Sequence, residues 1–111
     1  MKKFKTIYIA GPMRNLPNHN IDAFFNAEEK LRLEGWAVVN PVKFNYIFGT
    51  AVLQEDENIL RACMDAELSA IPHLDAIYLL KGWEKSEGAR QELLVALKNN
   101  LVIEIEKENV K

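Results

Sequence analysis

Ala76-Ile77-Tyr78-Leu79-Leu80 runs directly into Lys81-Gly82-Trp83-Glu84-Lys85-Ser86-Glu87-Gly88-Ala89-Arg90-Gln91-Glu92, and the reading of this join decides the fold. A short apolar run stopped by a glycine predicts a strand ending in a turn, and the residues beyond the turn take up the spacing of a helix. Ser86 and Gly88 sit at the helix mouth, with Glu92 one turn inside. A helix start carries unsatisfied N–H groups and partial positive charge, so Ser86 and the amides near Gly88 form a cradle for an anion. Gly88 removes a side chain that would block close backbone approach. Ala89, Leu93, Ala96 and Leu97 recur as a stripe for burial, and Glu92 lies on the same arc. A carboxylate there either reaches solvent at the stripe's edge or is held at a wet, polar pocket.

Outward from this join the same alternation repeats. Thr6-Ile7-Tyr8-Ile9-Ala10, stopped by Gly11-Pro12, reads as a first strand, apolar enough to be covered on both faces. Ile21, Phe24, Phe25, Ala27 and Leu31 mark a helix from about 20 to 34, with Asn20 as N-cap and Gly35 as stop. Trp36-Ala37-Val38-Val39 is a second strand. Residues 41 to about 55 show no period and carry Phe44, Tyr46 and Phe48, either as a functional loop or as a partly ordered helix or oligomer contact. A helix over 56–70 follows, then a strand at 75–80, a helix at 88–99 and a strand at 101–103.

Strands alternating with amphipathic helices predict right-handed crossovers and an α/β fold. The expectation is a small flavodoxin-like three-layer domain spanning 1–111, with a parallel sheet of four or five strands in the order 2-1-3-4 and helices on both faces. Such sheets bind ligands at the carboxyl ends of their strands, at the switch between strands 1 and 3. The turn Gly11-Pro12-Met13-Arg14-Asn15 should therefore meet the segment 82–88. Arg14 would bring a fork of donors to the mouth of the Ser86 helix.

Composition narrows the function further. The chain has 111 residues, 49% hydrophobic and 27% charged, with fourteen basic against sixteen acidic residues and a net charge of −2. That is one ordinary globular domain, with no basic block to follow a polymeric nucleic acid. No apolar stretch is long enough to span a bilayer and no signal-peptide core follows the basic start, so no membrane partner and a cytoplasmic setting are expected. Cys63 is the only cysteine, which excludes an intrachain disulfide and suits a small buried hydrophobe. His19 and His73 lack metal-ligand spacing, so neither metal nor cofactor is expected.

The opening Ile7-Tyr8-Ile9-Ala10-Gly11-Pro12-Met13-Arg14 and the pattern Ser86-x-Gly88-x-x-x-Glu92 together resemble the nucleoside 2-deoxyribosyltransferase superfamily, including its 2′-deoxynucleoside 5′-monophosphate N-glycosidase branch. The Gly82-Trp83-Glu84-Lys85-Ser86-x-Gly88-Ala89 run is closer still to a domain family of unknown function, common in bacteria and phages. The resemblance covers most of the chain. It implies N-glycosidic cleavage, with Glu92 as the nucleophile that attacks the anomeric carbon of deoxyribose and water or a second base resolving the ester. It also implies that Tyr8 orients Glu92, that Ser86 contacts phosphate or a sugar hydroxyl, and that Gly11 and Arg14 lie near phosphate or base.

The superfamily's sugar-binding aspartate, eight residues before the strand-3 Asp, falls here on Glu67, counted back from Asp75; the nearest aspartate is Asp65. Glu87 beside the cradle opposes a phosphate unless it points to solvent. Two further readings stand beside the enzyme: a nucleotide-binding or sensing module that kept the cradle without turnover, and an interaction protein using Trp83 and the loop aromatics. Leu94 and Val95 lie outside the main helical stripe, and predict a homo-oligomer, most simply a dimer.

Overall fold

The computed structural model describes residues 5–13, 16–43 and 57–107. Strand β1 (Thr6–Ala10) leads through a short 3-10 turn (Pro17–Asn20) into helix α1 (Ile21–Leu33) and strand β2 (Ala37–Val39). Helix α2 (Glu57–Ala70), strand β3 (Ala76–Leu79), helix α3 (Glu87–Lys98) and strand β4 (Val102–Ile105) complete the order. All pairings are parallel and the strand order is β2-β1-β3-β4, as expected.

Alternation along β1 separates two cores. Ile7 and Ile9 face α1 with Tyr78 and Leu80, packing against Phe24, Ala27 and Leu31. Tyr8 and Ala10 face the other way with Ile77 and Leu79, packing against Ile71, Ala89, Ala96 and Leu101. Because side chains of a strand alternate, this parity alone directs Tyr8 toward α3. It also makes both central strands continuously buried, the reason their sequences show no polar face.

The two turns expected to meet at the switch point do so. Leu80 N donates to Ala10 O at 2.8 Å, and the Gly11 backbone lies so close to Leu80 that a Cβ there would stand 2.7 Å from that residue's own Cβ. One residue further, a Cβ on Gly82 would reach within 3.4 Å of the Pro12 ring, and Gly82 has a φ of +88° that favours glycine.

Three local expectations need correction. Asn20 precedes α1 but does not cap it: its backbone is left-handed, and its side-chain amide donates instead to Pro12 O at 2.9 Å. Phe25 and Leu97, assigned to buried stripes, are exposed. Their places are taken by Glu28 and Glu92, which lie in register with Phe24 and Leu31 on α1 and with Ala89 and Ala96 on α3, and both are buried. The expected loop with Phe44, Tyr46 and Phe48 lies outside the described residues, as does the side chain of Cys63.

Candidate active site

Helices α1 and α3 each bury one glutamate, and the two are stabilised in opposite ways. Glu28 is 5% exposed; its carboxylate accepts from Lys43 Nζ at 2.6 Å, Arg32 Nε at 2.7 Å and Asn40 Nδ2 at 3.0 Å. Burial pushes its pKa up, but these three donors outweigh that and hold it below the usual carboxylate value. Asn40 Oδ1 in turn accepts from Val42 N at 3.0 Å. This is a satisfied structural network that fixes the chain leaving β2.

Glu92 is equally buried, at 5% exposed, and has a different partner set. Tyr8, 1% exposed, donates its hydroxyl to Glu92 Oε2 at 2.6 Å. Glu67, half-buried on α2, lies near enough to Glu92 and Tyr8 for the three groups to perturb one another's protonation. Burial and the neighbouring Glu67 raise the Glu92 pKa well above its ordinary value, and the Tyr8 hydrogen bond opposes the rise. Burial likewise lifts Glu67 to about 7, and burial together with Glu92 raises the Tyr8 phenol. Among the described residues no cation is paired with this cluster. Two carboxyl groups this close cannot both ionise cheaply, so they titrate as a pair that retains a proton near neutral pH. A buried acid kept out of charge balance is a signature of chemistry more than of stability.

The placement of each candidate follows from its element. Tyr8 comes from the centre of β1, Glu92 from the second turn of α3 and Glu67 from the third turn of α2. Asp65 is exposed, because two residues along a helix lead to nearly the opposite face; Glu67 is the member of that pair that joins Tyr8 and Glu92. Ser86 is half-buried at the N-cap of α3, where its Oγ accepts from Ala89 N at 3.1 Å. Its hydroxyl proton is still able to donate. Glu87 is exposed on the first turn. Gly88 does permit a close approach, but by protein: a Cβ there would lie 2.7 Å from Met64 Cε on α2. Gly11 stands at the switch point, and Arg14 lies outside the described residues.

Residues 5–105 match the family model for a domain of unknown function, DUF4406. The chain belongs to that family. The match runs from the residue before β1 to the last residue of β4, so the DUF4406 domain contains both turns and all three members of the buried cluster. A search of curated proteins finds no match. Among the described residues no helix is long and apolar enough to cross a membrane, and no group of three or more His, Cys, Asp or Glu side chains is arranged to hold a metal ion.

One feature beside the turn after β1 was not anticipated from sequence. Asn18, His19 and Asn20 have consecutive positive φ values of 51°, 53° and 60°. The signal was present in Pro17-Asn18-His19-Asn20, since asparagine and histidine are enriched among non-glycine residues in this conformation.

Proposed function

We propose that this DUF4406 domain cleaves or exchanges the N-glycosidic bond of a 2′-deoxynucleoside or its 5′-monophosphate, and that it is thereby related in chemistry to the nucleoside 2-deoxyribosyltransferases. The observation that carries the proposal is the buried contact between Tyr8 and Glu92, with Glu67 as a second carboxyl beside it. In this reading the pair holds one proton, and the Tyr8 hydroxyl biases the negative charge toward Glu92. The Glu92 carboxylate attacks C1′; the C1′–N bond breaks, its electron pair leaves with the base, and the base takes a proton from Glu67 or water. Water, or the nitrogen of a second base, then displaces Glu92 from the ester, losing its own proton as it bonds to C1′.

Ser86, Gly88, Gly11 and Arg14 serve as the sugar and phosphate contacts. Exposure of Glu87 supports a phosphate at the cradle, since solvent screens its charge. The reaction suits the cell interior, where nucleotides are made and used. Association of two copies draws support from Leu94, Leu97, Val102 and Ile105, exposed apolar residues on α3 and β4; a monomer by light scattering would count against it.

The test is incubation with 2′-deoxynucleosides and their 5′-monophosphates, with free base followed by chromatography. Release of base by the wild-type chain and none by Glu92→Gln is the expected result; release that survives the substitution removes Glu92 as nucleophile. One observation favours a second reading: the raised pKa of Glu92 favours its protonated form, which cannot attack C1′. A nucleotide-binding or sensing module would be thermally stabilised by a deoxynucleoside monophosphate while releasing no base.

A further inference from the structure

We propose that His19, carried on the left-handed turn Asn18–His19–Asn20, is the specificity-determining contact for the heterocyclic base of the ligand. The inference rests on the glycosidase reading for the identity of that ligand as a nucleoside, but its recognition chemistry comes from a different part of the molecule.

Three non-glycine residues in succession occupy left-handed backbone, at φ 51°, 53° and 60°. L-residues visit this region singly and at a cost, so a run of three persists only where the surroundings impose it. Here the restraints are visible. His19 N donates to Leu16 O at 3.0 Å, and the Asn20 amide donates to Pro12 O at 2.9 Å. Pro12 itself packs beside Gly82, at the start of the segment that leads to Ser86 and α3. The turn is thus fastened to the carboxyl ends of β1 and β3, the edge where an open parallel sheet takes its ligand. Strain held in place at that edge points to a positioned side chain rather than to a connection that happened to be tight.

The side chain so positioned is an imidazole with unused hydrogen-bonding capacity. His19 is half-buried, and its Nδ1 is shut away from solvent with no hydrogen-bond partner among the described residues. A histidine kept for structure ordinarily anchors its ring through a bond at one nitrogen. With none at Nδ1, no bond among the described residues selects the tautomer. Nε2 is then able to donate or to accept according to what faces it. The flanking residues, Asn18 and Asn20, add amides and no charge. Phosphate recognition calls for cations or convergent N–H groups, whereas a neutral set of mixed donors and acceptors matches the edge of a heterocycle. The base is also the part of a nucleoside that differs between substrates, so a contact here sets selectivity without touching the carboxyl pair.

The test uses the full chain and two variants, His19→Ala and His19→Asn; asparagine tolerates left-handed backbone, so the second keeps the turn if alanine does not. Turnover is measured on 2′-deoxynucleosides carrying four different bases and on 4-nitrophenyl 2-deoxyriboside, which has the sugar but no heterocycle. We expect kcat/KM on the best nucleoside to fall by about tenfold or more and the ratios between bases to flatten, with the nitrophenyl substrate unaffected. An equal loss on the nitrophenyl substrate would show that His19 only holds the loop, and unchanged ratios between bases would show that it reads nothing; either overturns the proposal. In parallel, binding of the free bases adenine, hypoxanthine, cytosine and thymine is followed by calorimetry. A folded wild-type chain that binds a base and releases none from any nucleoside, with binding lost in the variants, sustains His19 while removing the glycosidase. Absence of base binding together with absence of turnover removes both.

Discussion

The Tyr8 hydroxyl donates to Glu92 Oε2 at 2.6 Å, joining the middle of β1 to the second turn of α3 across 84 residues of sequence. Both groups are buried, so the bond stabilises the fold and aims the carboxylate together. Tyr8→Phe removes the donor and leaves a buried carboxyl with Glu67 as its nearest polar neighbour. A stability loss of about 1–3 kcal/mol is expected by denaturant titration. If the chain is a glycosidase, kcat should fall by roughly 10–100-fold with KM little changed, because orientation of the attacking group is lost and binding is not. Loss of the bond also removes the one influence that holds the Glu92 pKa down, so the acid limb of the pH–rate profile should move to higher pH.

Glu67 supplies a pH dependence whose sign is opposite to that of ordinary acid denaturation. Its pKa is raised from 4.5 to about 7 by burial. The folded chain therefore holds this proton more tightly than the unfolded one. Its favourable contribution is complete below the unfolded value and is lost as pH rises through the folded one. Across about pH 4.5 to 7 ionisation of Glu67 alone is expected to cost stability on the order of 3 kcal/mol, and Glu92 adds in the same direction. Thermal unfolding at a series of pH values should show a melting temperature that declines across this window. Glu67→Gln should flatten the decline and raise stability at pH 8. A melting temperature that climbs steadily from pH 5 to 8 in the wild-type chain would refute the shared-proton description.

The fold was legible because its signals are local and repeated. Thr6–Ala10 and Ala76–Leu80 are short apolar runs stopped by turn residues, and alternation with helices leaves few topologies open. The buried carboxyl was half legible. Periodicity placed Glu92 on the inner arc of α3 but could not say whether it reached solvent, since a one-position rotation decides between Glu92 and Leu97. The same rotation exchanged Phe25 for Glu28 on α1. What hydrophobic pattern cannot supply is the partner that makes burial of a charge tolerable: Lys43 and Arg32 for Glu28, Tyr8 and Glu67 for Glu92. Arg32 is a local i,i+4 partner that helix spacing alone supplies, but Lys43, Tyr8 and Glu67 lie outside the helix of the glutamate they meet, and only tertiary packing brings them there.

Gly11 and Gly88 both have an intruder 2.7 Å from where a Cβ would stand, yet substitution should separate them. At Gly11 the intruder is Leu80 Cβ, fixed to the end of β3; at Gly88 it is Met64 Cε, the tip of an unbranched side chain. Gly11→Ala must push a strand end aside and is expected to cost about 1–3 kcal/mol. For Gly88→Ala, Met64 swings away, and the gain of roughly 1 kcal/mol from replacing a helical glycine offsets the loss of packing. Chemical denaturation should therefore find Gly88→Ala close to wild type and clearly more stable than Gly11→Ala. The reverse order would mean that the α2–α3 contact is tighter than the junction of β1 and β3.

Ser86 is asked to do two things, and substitution can divide them. Its Oγ accepts from Ala89 N at 3.1 Å and so caps α3; the proposed function gives its hydroxyl a second task on phosphate or a sugar hydroxyl. Ser86→Ala removes both, and the lost cap alone should cost about 1 kcal/mol. Ser86→Asp restores the cap with an oxygen that accepts as well as serine does and adds negative charge favoured at a helix start. Stability should return to the wild-type level. Recognition of a 5′-phosphate should not, because the new carboxylate opposes the anion and has no proton to give. Titration of a deoxynucleoside monophosphate and of the matching deoxynucleoside into each variant reads the difference. Ser86→Asp should weaken the monophosphate far more than the nucleoside, while equal loss of both would place the serine on the sugar and the phosphate elsewhere.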